Sequence, residues 1–457
     1  MDYNKANLYC RLPNEYGSGF IQGSNDKIFF DIVEELNENS DQIKEIQLTL
    51  FLFNNMELYN NLLKLAEKGI NITIISLPIQ GYKKGKREKA KKLYTKILTD
   101  NKIKLLIYPH MYVWYTVGYG GFAPYSFHIK AGQIIYKTNE SKIFLTSANV
   151  ASGDPTHSEI ALFLKCDKNS KAAEIYQNFF SEICERAVCF ETYKQIIAKL
   201  PAGLEQIYDF LYVGCLRMKN LDAAQHNKIF FTAPFLTYNG IGSNHYARQK
   251  IIEVIKSAQK RLLFCAQHSH DIDPYDNYNG ETIIKALTTI TKENPDIEVC
   301  FLKQTDSSGL TSKGRASYAE EYLHRAKIPQ KANKLLHDKF IVADDTVLFT
   351  TGNFTATQFT WGEIYMEHYT SKIGLGDAQT IIDNACEYFN IPNVRLEANP
   401  MEASEGNQKK IEIRKLDVFS EVNAFIIIDN KEIADNVENY FKKLWNHKLS
   451  KEVKIPI

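Results

Sequence analysis

Two short patterns in this sequence bring an imidazole and an amine to the same side of the chain: His128-Ile129-Lys130 and His337-Asp338-Lys339. On a β-strand, residues two apart point to one face, so each His projects together with its Lys. Two such pairs in one cleft suit the cleavage of phosphodiester bonds. Lysine ammonium and asparagine amide groups neutralise and hydrogen-bond the nonbridging oxygens as negative charge builds. One neutral imidazole attacks phosphorus, and the covalent phosphohistidine splits the reaction into two steps. The other, protonated, donates to the leaving oxygen and later activates water or an alcohol. Histidine serves both duties because its ordinary pKa, about 6.5, lies near neutral pH. The scheme calls for no metal and no cofactor.

The elements that must carry these residues form an internal repeat. Gly23-Ser24-Asn25 and Gly242-Ser243-Asn244 each precede a stretch with apolar residues at helical spacing, Lys27–Leu36 and Lys250–Lys256. Each half continues with a predicted strand (Leu48–Phe53; Leu262–Ala266), a helix (Leu58–Lys68; Thr282–Thr291) and a second strand (Ile72–Leu77; Ile297–Leu302). The two His-x-Lys motifs then open strand–turn–strand units ending in Thr146-Ser147-Ala148-Asn149 and Thr350-Thr351-Gly352-Asn353. Beyond them, Ser158-Glu159 and Ser420-Glu421 each lead an apolar strand and a helix (Ala172–Glu185; Ile433–Trp445). Strands alternating with amphipathic helices predict βαβ units and an α/β fold. Asn149 to Glu159 is 10 positions and Asn353 to Glu421 is 68, so the second copy carries an insertion near 355–419. Within it, 397–407 reads as exposed loop. The expected organisation is a first half over 20–195, a helical connector over 196–225 and a second half over 226–450. One chain then builds one shared site without dimerising, and a homodimer stays open.

Length and charge agree with that plan. The 457 residues carry 55 Lys and Arg against 54 Asp and Glu, a net charge of +1. This excludes a polycationic nucleic-acid coat and an acidic disordered tail. With 44% hydrophobic and 12% aromatic residues, the chain is an ordinary globular one. The N-terminus lacks a basic region followed by an apolar run. The longest apolar stretches, such as Ala424–Ile428, are of strand length and far below the roughly 20 residues a bilayer requires. No transmembrane segment is expected. Eight cysteines without a CxxC pair read as reduced thiols in a cytoplasmic protein.

The doubled pattern resembles the phospholipase D superfamily, whose signature HxK(x)4D(x)6GSxN occurs twice in a chain. The second copy is close, running from His337 and Lys339 to Asp344, with Thr351 and Asn353 at the GSxN position. In the first, His128, Lys130, Ser147 and Asn149 fit, but Ile135 takes the Asp position. About five extra residues around Tyr136–Ser141 lengthen that hairpin, so Asn139 or Glu140 is expected to fill the role. Tyrosyl-DNA phosphodiesterases also lack that Asp, and the first motif is similar to theirs. The resemblance covers both halves. It implies two tandem halves packed as a pseudo-twofold dimer around one active site, with one His as nucleophile and the other as general acid. It also implies that Glu159 and Glu421 orient the imidazoles. By family precedent, His128 is the expected nucleophile and His337 the acid. The catalytic set is then His128, Lys130, Asn149, Glu159, His337, Lys339, Asp344, Asn353 and Glu421, with Ser147 and Thr351 on the substrate.

Substrate class is less constrained, because a fold hosts many chemistries. The run Lys83-Lys84-Gly85-Lys86-Arg87 through Lys92 follows a strand end, where α/β proteins place ligands, and can track a phosphate backbone. It also reads as a solvated helix face, or as a patch drawn to lipid headgroups. Tyr125 belongs to an aromatic, glycine-rich stretch, Tyr112–Phe127, able to stack on bases, dip into a membrane interface or pack under the site. Phe354–Phe359 is similar to nuclease-type members. His268-Ser269-His270-Asp271 suits the rim of a groove better than a metal site. Trp361, Glu363 and Glu367 read as cleft-shaping or as an ordinary amphipathic segment. The expectation is a metal-independent nuclease acting on DNA or RNA. The alternatives are a phospholipid hydrolase or phosphatidyltransferase, and a catalytically silent nucleic-acid-binding scaffold.

Overall fold

The apolar runs of the repeat become the strands of two sheets that match each other strand for strand. The structure, a computed structural model, describes residues 5–13, 40–79, 84–108, 127–149, 156–199, 218–268, 282–304, 318–354, 364–370, 409–415 and 421–453. The first half comprises β1 (Lys5–Arg11), β2 (Ile43–Leu50), α1 (Met56–Glu67), β3 (Asn71–Ser76), α2 (Lys84–Asp100), β4 (Lys104–Ile107), β5 (Lys130–Tyr136), β6 (Glu140–Thr146), β7 (Glu159–Asp167), α3 (Lys171–Arg186), β8 (Val188–Cys189) and α4 (Phe190–Lys199). The second comprises β9 (Lys219–Leu221), β10 (Ile229–Thr232), β11 (Leu236–Tyr238), β12 (Ile241–Gly242), α5 (Ser243–Ser257), β13 (Arg261–Ala266), α6 (Ile283–Glu293) and β14 (Glu298–Lys303). It continues through α7 (Tyr318–Arg325), β15 (Gln330–Asn333), β16 (Lys339–Ala343), β17 (Thr346–Thr350), β18 (Ile364–Thr370), β19 (Lys409–Lys415), β20 (Asn423–Asp429), α8 (Lys431–Trp445) and β21 (Ser450–Glu452).

The first sheet runs β1-β7-β6-β5-β2-β3-β4-β8 and the second β10-β20-β17-β16-β13-β14-β15-β21. In each, three central strands are parallel (β2-β3-β4; β13-β14-β15), and antiparallel strands flank them on both sides. Lys130 lies opposite Leu50, and Lys339 opposite Ala266. Both His-x-Lys motifs therefore sit at the carboxyl ends of the parallel strands, the edge at which open α/β sheets bind ligands.

The halves share one core. Helix α3 packs on β6 and β7 of its own sheet and on β10 of the other, while α8 packs on β13, β16, β17 and β1. Each helix is built for this by its apolar spacing and its cap. Ser170 accepts from Ala173 N and Asn430 from Ile433 N, satisfying backbone donors of the first turn. Buried Ile175, Phe179 and Ile183 on α3, and Val437, Tyr440 and Leu444 on α8, fill the space between the sheets. Phe179 stacks on Phe231 across the halves, with ring centroids 3.8 Å apart. In the insertion, β18 and β19 pair antiparallel from Ile364↔Lys415 to Thr370↔Lys409. Residues 397–407 lie outside the described residues, as do Trp361 and Glu363. Of the expected connector, residues 200–217 are likewise outside them. Cys10, Cys166, Cys184, Cys189, Cys265 and Cys300 are free thiols.

The hairpins that follow the motifs are braced in opposite ways. Asp344 sits in the β16–β17 turn at φ 51°. Its carboxylate accepts from the backbone N–H groups of Gln259, Lys260 and Arg261, just ahead of β13. In the first half neither Asn139 nor Glu140 takes that place. Asn139 hydrogen-bonds the Asp167 carboxylate, and Glu140 pairs with Lys165 at 2.5 Å. Lys137 is the brace instead: its backbone N–H donates to Gln42 O (2.6 Å) and its ammonium to Asp41 O (2.9 Å), just ahead of β2. A donor reaching carbonyls replaces an acceptor collecting N–H groups, which is why no acidic residue is needed there.

At Gly132, on β5, the ring of Phe144 from the directly opposed position of β6 takes up the room of a side chain. A Cβ at this position would fall 2.3 Å from Phe144 Cε1 and 2.9 Å from Gln47 O. Gly132→Ala is therefore expected to destabilise the protein by about 1–3 kcal/mol, measured by chemical denaturation; a change under a few tenths would contradict this packing.

Candidate active site

Each lysine of the two motifs folds back onto its own histidine. Lys130 Nζ donates to His128 O (2.6 Å) and Lys339 Nζ to His337 O (2.7 Å). Both ammonium groups are buried, with residue exposures of 1% and 0%. Burial, the other lysine's charge and a low-dielectric setting push Lys130 well below its ordinary pKa, and burial brings Lys339 down to about 8. Two buried cations at one edge are costly, and the carboxylates of Glu159 and Glu421 offset that cost only in part.

The halves interlock through the segments that precede the motifs. His128 N donates to Val422 O (3.1 Å), beside a bridge between Phe127 and Val422. Ser158 N donates to Leu335 O (2.8 Å), and His337 N to Ser158 Oγ (3.3 Å). Each histidine thus meets side chains from the opposite half. His337 Nδ1 is 2.9 Å from Glu159 Oε2. Glu159 is further held by Ser147 Oγ–H (2.5 Å) and lies 3.9 Å from Arg11 Nη2. Although burial works against it, His337, Arg11 and Lys339 keep Glu159 below the usual carboxylate range. Burial pushes His337 down, so a carboxylate faces a neutral imidazole. An ionised carboxylate only accepts, so the proton sits on Nδ1 and the lone pair on Nε2.

Around His128 the partner is different. Aligning the sheets by their hydrogen bonds makes Ser147 equivalent to Thr351 and Glu159 equivalent to Asn423. Ser147 N donates to Ile160 O and Thr351 N to Ala424 O, while Ile160 N and Ala424 N donate back to the two hydroxyls. The Ser-Glu dipeptides are therefore two residues out of register, and Glu421 is not the counterpart of Glu159. Glu421 stands behind Asn423, whose Nδ2 donates to it (3.2 Å). Asn423 Oδ1 accepts from Thr351 Oγ–H (2.9 Å), and the amide also hydrogen-bonds His128. Burial and the charges of Lys130 and Lys339 hold His128 well below its ordinary pKa. Phe51 walls this side, with its ring 4.7 Å from the His128 ring and 4.9 Å from Lys130 Nζ.

The sequence-derived set thus divides. His128, Lys130, Glu159, His337 and Lys339 meet at one seam, with Glu421 one step behind. Asn149 and Asn353 occupy equivalent positions after Ser147 and Thr351, each with Oδ1 buried and without a hydrogen-bond partner among the described residues. The hydroxyls of Ser147 and Thr351 hydrogen-bond the side chains of Glu159 and Asn423. Asp344, at the far end of β16, braces a turn and is not in the cleft. Lys86 and Arg87 lie on α2, whose buried side is Ala90, Leu93, Tyr94 and Ile97; the basic run is the solvated side of an amphipathic helix that begins at the active-site edge. Lys83 and Tyr125 lie outside the described residues, as do His270 and Asp271 and the side chains of Lys84 and Glu367. Asn423, Arg11, His157 and Phe51 were not legible as site residues. The ring of His157 is 5.8 Å from that of His337.

Asp338, between His337 and Lys339, is fully buried. It accepts from Ser158 Oγ–H, and Tyr440 Oη lies 2.9 Å from its Oδ1 and 2.8 Å from Arg11 O. One phenolic proton cannot serve both oxygens. A protonated Asp338 donating to Tyr440, which donates to Arg11 O, satisfies every group.

Residues 251–373 match the family model described as "Cardiolipin synthase, PLD-like domain". No curated protein sequence matches the chain. Among solved structures, the phosphatidylserine synthase of Haemophilus influenzae Rd KW20 superposes with TM-score 0.50 at 10% identity, over 95% of this chain and 87% of that one. The polyphosphate kinase of Porphyromonas gingivalis gives 0.48 at 10% identity, over 99% of this chain and 49% of that one, so this chain spans about half its length. Yeast tyrosyl-DNA phosphodiesterase gives 0.41 at 13% identity, over 78% and 85%. The first of these carries the fold.

The Asp338 network generates a pH prediction. Burial raises the carboxyl from its ordinary 3.8 to about 7. The folded state holds a proton that the unfolded chain releases, so this stabilisation is complete below about pH 4 and lost as pH rises towards 7. At about 1.4 kcal/mol per pKa unit, the effect amounts to a few kcal/mol. Asp338→Asn mimics the protonated form and should be the more stable protein at pH 8 but not at pH 4, by denaturant titration. A wild-type advantage at pH 8 would show that Asp338 is ionised.

Proposed function

We propose that this chain, a member of the phospholipase D superfamily, is a metal-independent phosphodiesterase that cleaves DNA or RNA through a phosphohistidine intermediate. The observation that carries the reading is the cross-half seam, where two buried His-x-Lys pairs each meet a hydrogen-bonding partner from the opposite half. Lys130 and Lys339, buried beside the two imidazoles, supply positive charge for the nonbridging oxygens once a bound phosphodiester's own charge favours their protonated forms. Asn149 and Asn353 offer amides at equivalent positions beside them. With these groups, charge neutralisation at phosphorus is met by the protein itself.

Nucleic acid is favoured by α2. Its basic N-terminal residues begin at the edge of the sheet that carries Lys130, and exposed Arg87, Lys89, Lys91 and Lys92 extend away from it. A spaced row of cations leading from a cleft fits a polyanion that continues beyond the scissile bond. A simple phospholipid carries no row of further phosphates beyond its scissile diester. The second reading, transfer or hydrolysis of phospholipid, is favoured by the description of the matching family model, which covers 251–373. No helix among the described residues is long and apolar enough to cross a membrane.

Purified protein is expected to cut single-stranded DNA or RNA in EDTA, and His128→Ala or His337→Ala to lower steady-state turnover by about 10²–10⁴. Headgroup release from anionic liposomes with no cutting of nucleic acid would favour the lipid reading. Lys86→Gln together with Arg87→Gln should weaken nucleic-acid binding and reduce the slope of log affinity against log salt by about 0.7 per lost contact. An unchanged slope would remove α2 from the binding track.

A further inference from the structure

Resting on the phosphodiesterase reading, we propose that the two histidines divide the work against chain order: His337, of the second half, is the nucleophile, and His128, of the first, is the general acid. The argument is the unlike partners at equivalent positions of the two sheets. His337 Nδ1 faces a carboxylate, Glu159, at 2.9 Å. His128 faces the carboxamide of Asn423, whose Nδ2 is turned to Glu421 and whose Oδ1 accepts from Thr351.

The two roles make opposite electrostatic demands. In the first step Nε2 of the nucleophile forms a bond to phosphorus as the bond from phosphorus to the leaving oxygen breaks. The ring keeps its Nδ1 proton and so becomes a phospho-imidazolium carrying a full positive charge. An adjacent carboxylate stabilises that charge as it develops, and in a buried site the effect is large. The same hydrogen bond holds the proton on Nδ1 and leaves the Nε2 lone pair available before the reaction begins. Ser147 and Arg11 hold the carboxylate in place, so little reorganisation is needed.

A general acid must instead give up a proton to the leaving oxygen in the same step. A carboxylate on its far nitrogen would oppose that loss. A neutral amide oxygen orients the ring without holding the proton so firmly. Burial, together with the charges of Lys130 and Lys339, disfavours a protonated His128. A bound phosphodiester brings a negative charge to the same place and offsets them, so the acid is armed by substrate. In the second step water attacks phosphorus, passes its proton to His128, and the P–N bond breaks to return the lone pair to His337. The protein regains its starting state, and a phosphomonoester and an alcohol are the products.

The assignment is tested with bis(p-nitrophenyl) phosphate, whose leaving group departs as an anion and does not need a proton. His128→Ala should release one equivalent of p-nitrophenolate per chain in a rapid burst and then stall, because the base for the second step is gone. Alkaline quench and peptide mapping should find the phosphoryl adduct on His337. His337→Ala should give no burst. Wild-type protein quenched during turnover of the same compound provides a check independent of how well either variant folds, with the adduct again expected on His337. An adduct on His128, a burst that survives in His337→Ala, or turnover by wild type with no adduct on either ring overturns the assignment. If wild type cleaves neither this diester nor nucleic acid, the phosphodiesterase reading itself has failed.

Discussion

A carboxylate from one half of the chain accepts a hydrogen bond from an imidazole of the other, and the arrangement of both sheets serves that contact. Glu159 begins β7, and His337 lies two residues ahead of β16, so the 2.9 Å separation requires the halves to be in register to within a fraction of a strand spacing. The shared core supplies the register. Helices α3 and α8 each pack on strands of both sheets, and Tyr440 on α8 reaches Arg11 O, Glu159 O and Asp338 in one cluster. Apolar packing brings the seam together, and this buried polar network selects one alignment of it. A buried polar group left without its partner costs more than a poor apolar contact.

The same seam carries an unfavourable electrostatic load. Lys130, Lys339 and two histidines converge in a region with little water, so both lysines and both imidazoles are drawn towards their neutral forms. Glu159 and Glu421 counter the lysines, yet burial outweighs them. Fold stability is therefore drawn from elsewhere: the aromatic stack of Phe179 on Phe231, the apolar faces of α3 and α8, and turn braces such as Asp344 and Lys137.

Duplication produced two halves that agree in topology and differ in chemistry. Glu159 stands where the other half has Asn423, His157 where it has Glu421, and Phe51 where it has Gln267. Near-identical backbone paths thus present an acidic partner to one histidine and an amide to the other. Twofold symmetry gives a site two copies of each group, and a two-step reaction needs two unlike groups.

Much of this was legible from residue types alone. Apolar spacing marked the repeated elements, such as α1, β3, β13, α6 and β14, near their observed bounds, because alternation and helical periodicity are local consequences of having one buried face; β1, β4, α7 and β15 were not marked by it. The order of His-x-Lys, Asn and acidic residues in both halves revealed the duplication, and two-residue spacing put each His with its Lys. Other features depended on contacts between segments far apart in the chain. The Ser-Glu dipeptides at 158–159 and 420–421 invite an alignment that is wrong by two residues, since register comes from hydrogen bonds between strands and not from resemblance along them. Lys137 does the work of an absent Asp with the polarity of donor and acceptor exchanged, and sequence comparison tracks residue identity, not hydrogen-bond function. Arg11, Asp338 and Tyr440 meet across more than 400 positions of chain. Composition and periodicity determined that the protein is a doubled α/β unit with two His-x-Lys pairs. Only the tertiary structure decided which side chain faces each imidazole, because that depends on how two separately legible halves are pressed together.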